Sequence, residues 1–145
     1  GAVPSASATS GTTGEATTVW ILGPTIGANS QQVAASVSGV SPVTFLATGQ
    51  VGPPASLEVV SGNLQRAPLG APTPDSIRIV VKDQFGNPTD GIAIKWQVIA
   101  GGGQVSPATT ITDAQGRTAA RLTLGSSNAA ENGNQLLIGL RHVES

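Results

Sequence analysis

The chain has 145 residues, a formal net charge of −1 and only 10% charged residues. That length suits one ordinary domain or one domain plus part of another, and so weak and balanced a charge leaves no electrostatic footprint for nucleic acid or an anionic membrane. With no cysteine and a single histidine, a disulfide framework, a thiolate metal site, a cysteine nucleophile and a multi-histidine cluster are excluded, and no apolar run approaches the ~20 residues of a membrane-spanning helix.

Residues 1–14, GAVPSASATSGTTG, are small and polar and read as a flexible arm or linker. After them the apolar pattern has a period of two. Thr18, Trp20 and Leu22 form a first alternation, Val33, Ala35 and Val37 a second, and Val43, Phe45 and Ala47 a third. The segment 49–56, GQVGPPAS, is a joint stiffened by Pro53 and Pro54. A second series of strands follows, at 57–60, then at Ile77, Ile79 and Val81, and then at Ile92, Ile94, Trp96 and Val98. It continues at 109–112, at Ala120, Leu122 and Leu124, and at Leu136, Ile138 and Leu140. No window carries apolar residues at helical spacing. Nineteen glycines and ten prolines supply turns, so the expected fold is an all-β, antiparallel β-sandwich with one solvated face on each sheet.

The sequence also repeats itself. GEATTVWILGPT (14–25) aligns with GRTAARLTLGSS (116–127), and NSQQVAASV (29–37) aligns with NGNQLLIGL (132–140). Val33, Ala35 and Val37 thereby fall on Leu136, Ile138 and Leu140. A spacing near one hundred residues is that of one Ig-like domain per repeat. The first copy contains a closing strand, PVTFLATG (42–49), and the second stops at Ser145, where its equivalent would begin. The expected organisation is therefore an arm at 1–14, the C-terminal half of a repeat with three strands at 15–52, and a repeat lacking its last strand at 53–145. With no initiator methionine and no signal peptide, the chain is expected to be a processed product or a cut from a longer one.

The stretch 77–124 resembles the group-1 bacterial Ig-like domain found in tandem arrays of invasin- and intimin-type adhesins. The residues that carry the resemblance are Val81-Lys82-Asp83, Phe85-Gly86-Asn87-Pro88, Gly91, the glycine-rich turn at 101–103 and Thr112-Asp113-Ala114-Gln115-Gly116. With the first copy included, it covers roughly residues 14–145. The resemblance implies an Ig-like sandwich in an extracellular or cell-surface stalk or adhesive domain without catalytic activity.

Read for chemistry, the same residues give little. Asp83, Asn87 and Asp90 could be taken for a calcium loop, but calcium wants six to eight oxygens, and Asp, Gly, Asn and Pro are also what a strand connection needs. Asp75, Asp90 and Asp113 could be paired as the acid and base of a glycosidase, which requires two carboxyls facing across a cleft; all three sit beside turns. His142 has no partner set for a triad. Trp20 and Trp96 could stack on sugars, but Trp96 is in phase with core positions. Gly101-Gly102-Gly103 follows a strand and precedes no helix, so it is not a phosphate loop. The expectation is no catalytic residue, no cofactor and no metal.

The odd phase of the repeat suggests a role instead. A segment below about 40 residues rarely folds alone, and a sheet edge with unpaired N–H and C=O groups is a template for another strand. The expected assembly strand is Val43, Thr44, Phe45, Leu46 and Ala47; the expected acceptor edge is Leu136, Ile138 and Leu140. The strand either folds back to close its own chain or closes a neighbour, and a short stiff hinge favours the neighbour. The expected protein is an extracellular fibre or stalk subunit, a homo-oligomer or polymer built head-to-tail by strand exchange. The alternative is an adhesin-type module that binds a cell-surface protein or a glycan.

Overall fold

The computed structural model describes residues 1–126 and the backbone of the strand at 135–140. Among the described residues there is no helix, and every strand pairing is antiparallel. The chain forms two compact units, Gly1–Val51 and Gly52–Ser145.

The first unit contains a two-stranded ribbon, β1 (Gly27–Val37) and β2 (Val40–Gly49). Ser38-Gly39 makes the turn, with Gly39 at a φ of 82°, a left-handed conformation that suits a two-residue hairpin loop. Gln31 faces Ala47, Val33 faces Phe45 and Ala35 faces Val43, so these six share one face of the ribbon. The strand expected around Thr18–Leu22 does not form. Its only ladder contact is a bridge at Ile21, whose N–H and C=O pair with those of Ala2. The physical reason is that no second strand lies along it, and side-chain bonds hold the next stretch. The buried Gln31 accepts from Gly23 N at 3.1 Å and donates through Nε2 to Thr25 O at 2.7 Å. Residues 15–52 thus hold two strands rather than the three expected.

The second unit holds two sheets. One is ordered β3-β4-β8-β6, from β3 (Pro54–Ser61), β4 (Ile77–Asp83), β8 (Arg117–Thr123) and β6 (Gln104–Ser106). The other is β7-β5-β9, from β7 (Thr109–Ile111), β5 (Ala93–Ala100) and β9 (Gln135–Leu140). The core draws on both: Ile79 and Val81 of β4 and Ala120 of β8 pack with Ile94 and Trp96 of β5. Leu57, Ile77, Ile92 and Val105 surround them. Each large side chain buried this way contributes about 1.5–3 kcal/mol relative to an exposed one. Two antiparallel sheets sharing one apolar core are consistent with a β-sandwich. The short strand β6 was not visible in the sequence, since three residues with one apolar member set no period.

The connection from β3 to β4 is long, and polar side chains pin it. Gln65 donates to Gly62 O and Asp75 O and accepts from Asp75 N at 2.7 Å. The buried Thr73 bonds Leu122 O through both its N–H and its hydroxyl.

Candidate functional site

Two turns at one end of the second unit are built alike. Each begins with an aspartate, reaches a glycine three residues on and closes one residue later. Oδ1 of Asp83 accepts from Phe85 N at 2.8 Å and Asn87 N at 2.9 Å. Oδ1 of Asp113 accepts from Gln115 N and Arg117 N, both at 2.9 Å. Gly86 and Gly116 have φ of 85° and 68°, and their N–H groups donate back to the carbonyls of Asp83 and Asp113. These are Asx turns, the geometry that Asp and Gly supply at such spacing.

Asp83 does more than Asp113. It is buried, and its second oxygen, Oδ2, accepts from Asn87 Nδ2 at 3.0 Å and from Gly52 N at 3.1 Å. Burial by itself raises its pKa. The bonds from the Asn87 side chain and from the N–H groups of Gly52, Asn87 and Phe85 outweigh that and lower it from 3.8 to about 2. A carboxylate receiving four N–H bonds is a structural anchor. Asp90 is exposed, and among the described residues no group of three or more His, Asp or Glu is placed to hold a metal ion. Asp75 and Asp113 are exposed too, with Asp113 engaged in its own turn. His142 lies outside the described residues.

The tryptophans separate. Trp96 is 2% exposed, and its Nε1 donates to Thr110 Oγ1 at 2.8 Å, so its faces are taken by the core. Trp20 is half-buried in the first unit.

The residues read as an assembly strand occupy the middle of β2. Val43 is 62% exposed, Phe45 56% and Leu46 53%. Thr44 is exposed as well, and Ala47 is half-buried. Val37 and Val40, on either side of the turn, are also largely exposed. An isolated two-stranded ribbon is at best marginally stable in water, and this one carries exposed Val, Phe and Leu side chains.

The residues read as an acceptor edge lie on β9. By backbone register, Leu136 stands opposite Val98, Ile138 opposite Trp96 and Leu140 opposite Ile94. In the order β7-β5-β9, β9 is the outermost strand among the described residues. The strand whose sequence aligns with it, β1, is paired by β2.

The chain between β2 and the first anchored residue of the second unit is short. β2 ends at Gly49, Gly52 is bonded to Asp83, and β3 starts at Pro54 with Asp83 as its Cα partner. Only Gln50 and Val51 lie between the last ladder residue of the ribbon and the anchored Gly52. The sequence marked this joint by its prolines and missed Asp83, whose clue is the Asp-x-x-Gly-Asn spacing 31 positions downstream of Gly52.

No protein-family model matches the chain, and no curated protein matches it in sequence. No helix among the described residues is long and apolar enough to cross a membrane.

Proposed function

We propose that the protein is a non-enzymatic, extracellular or cell-surface structural subunit, of a stalk or a fibre, that assembles head-to-tail through β2. The observation that carries this reading is the ribbon itself: two strands with Val37, Val40, Val43, Phe45 and Leu46 all more than half exposed. Such a ribbon gains by joining a larger sheet. In the second unit β9 is the outermost strand of its sheet among the described residues, and its sequence aligns with that of β1. Residues 42–49 would close that sheet with main-chain hydrogen bonds for affinity and alternate side chains for register, the mode of strand addition. The resemblance of residues 77–124 to group-1 bacterial Ig-like domains supports an Ig-like sandwich and a stalk role, and the two antiparallel sheets of the second unit are consistent with a sandwich.

Head-to-tail donation is heterologous, so it propagates into a fibre unless the rotation closes a ring. Deleting residues 42–49 tests the reading. The expected result is loss of multimers with the second unit still folded, read by light scattering and by the fluorescence of the buried Trp96. Multimers that persist after the deletion would overturn it.

A further inference from the structure

The polar stretch ahead of the ribbon, expected to be a loose arm, doubles back on itself within the first unit. Ala2 and Ile21 exchange both backbone hydrogen bonds, at 2.9 and 2.8 Å. Further along, Thr18 Oγ1 donates to Ser5 O at 3.0 Å, and Gly11 N donates to Glu15 O at 2.9 Å. The tip is the turn Gly11-Thr12-Thr13-Gly14, closed by Gly14 N on Gly11 O, with Gly14 at a φ of 81°.

This excursion is built almost wholly of hydroxyls. Residues 5–18 hold eight Ser or Thr, with three Ala, two Gly and Glu15 between them. All of them are exposed. Three of the hydroxyls are engaged: Ser5 with Ser7 O, Thr13 with Glu15, and Thr18 with Ser5 O. Among the described residues, no hydrogen bond engages the hydroxyls of Ser7, Thr9, Ser10, Thr12 and Thr17. They are open alcohols with small neighbours, so an enzyme can bring the backbone close to its reacting centre and a bulky group has room afterwards.

Charge decides which group they would take. A phosphate acts through pairing with Arg or Lys, and the first residue of either kind is Arg66, outside this unit. Glu15 is the only charged side chain of residues 1–51. A sugar is neutral, needs no counter-charge and needs a surface position. Ser and Thr in quantity beside a proline, here Pro4, is also the composition of glycosylated stalks.

We propose that residues 5–18 are a site of O-glycosylation, with Thr9, Ser10 and Thr12, beside the tip, as the main acceptors. The Ser or Thr Oγ attacks the anomeric carbon of an activated sugar, a nucleotide-linked or lipid-linked sugar phosphate. The bond from that carbon to the phosphate oxygen breaks, and its electron pair leaves with the phosphate. The hydroxyl proton passes to a base of the transferring enzyme, and nothing is oxidised or reduced. The site is independent of assembly through β2 and shares with it only the extracellular or surface location.

The test uses the protein isolated from the cells that make it. Trypsin releases residues 1–66 as one peptide, because no Lys or Arg precedes Arg66. The expected mass of that peptide exceeds its sequence mass by whole sugar residues, and electron-transfer fragmentation places them within 5–18. Mild alkali is expected to release them by β-elimination, leaving each acceptor one water lighter than Ser or Thr. A peptide at its sequence mass, an increment of phosphate, or sugars confined to other residues would overturn the proposal. The triple variant Thr9→Ala, Ser10→Ala, Thr12→Ala, made in the same cells, is expected to lose most of the added mass and to keep the urea midpoint read by Trp96. An undiminished increment would overturn the assignment of the acceptors.

Discussion

The N–H of Gly52 donates to Oδ2 of Asp83 at 3.1 Å, so the first residue of the second unit is tied to the loop that follows β4. Three more N–H bonds converge on the same carboxylate, from Phe85, Asn87 and the Asn87 side chain. Its charge is thus part of the fold, and its pKa of about 2 lies below the ordinary 3.8. A carboxylate with a depressed folded-state pKa stabilises fully above its unfolded pKa, and that stability is lost as pH falls toward the folded value. Urea denaturation of the second unit, followed by Trp96 fluorescence, is expected to be flat near neutrality and to weaken from about pH 5 down to about pH 2. Asp83→Asn is expected to lower stability at neutral pH, because one amide oxygen cannot accept four N–H bonds, and to remove most of the acid dependence.

Much of this fold was legible in the sequence, and the exceptions have physical causes. Ile79, Val81, Ile94, Trp96 and Ala120 were readable as core because alternation along a half-buried strand leaves a period of two. The ribbon was readable for the same reason. Thr18–Leu22 carries that same period without becoming a strand, since a period gives strand propensity and a partner must still be present. The buried Gln31, Thr73 and Asp83 were invisible as anchors, because each is buried by bonds to distant backbone that no local pattern records. Residues 42–49 were legible as a strand through the alternation of Val43, Phe45 and Ala47; the bond that holds Gly52 to Asp83 was not, since it joins positions 31 apart.

The two Asx turns offer a paired comparison. A Cβ added at Gly116 would lie 2.5 Å from Val81 O and 3.0 Å from Thr89 N, whereas at Gly86 it would meet nothing within 4 Å. Gly86→Ala is expected to cost only the left-handed backbone term, about 1–2 kcal/mol. Gly116→Ala carries the same term and also displaces backbone, so it is expected to cost roughly 3 kcal/mol or more. Equilibrium denaturation of both variants checks the order; equal losses would contradict the packing account.

Thr89 is buried, and its hydroxyl has no hydrogen-bond partner. Its backbone groups are engaged with Val81 and Thr112. Thr89→Val keeps the branched shape and removes the unpartnered oxygen. The expected gain is about 1 kcal/mol, a rise in Tm of roughly 4–8 °C for a domain of this size. A thermal scan of the variant reads this directly.

Phe45 separates assembly from folding. It is 56% exposed on the ribbon and belongs to the first unit. Phe45→Asp is expected to leave the denaturation midpoint of the second unit within about 0.5 kcal/mol of the parent, as surface changes do. The same change should raise the concentration needed for multimers at least tenfold. Light scattering across a dilution series measures the second effect.

The central claim is tested most directly on the unaltered chain, by size-exclusion chromatography with in-line light scattering and negative-stain images of the eluted material. Open multimers that lengthen with concentration, or fibres one subunit wide, are the expected result. A single species near 14.4 kDa at every concentration would contradict assembly through β2 and would turn the search toward a monomeric binding module.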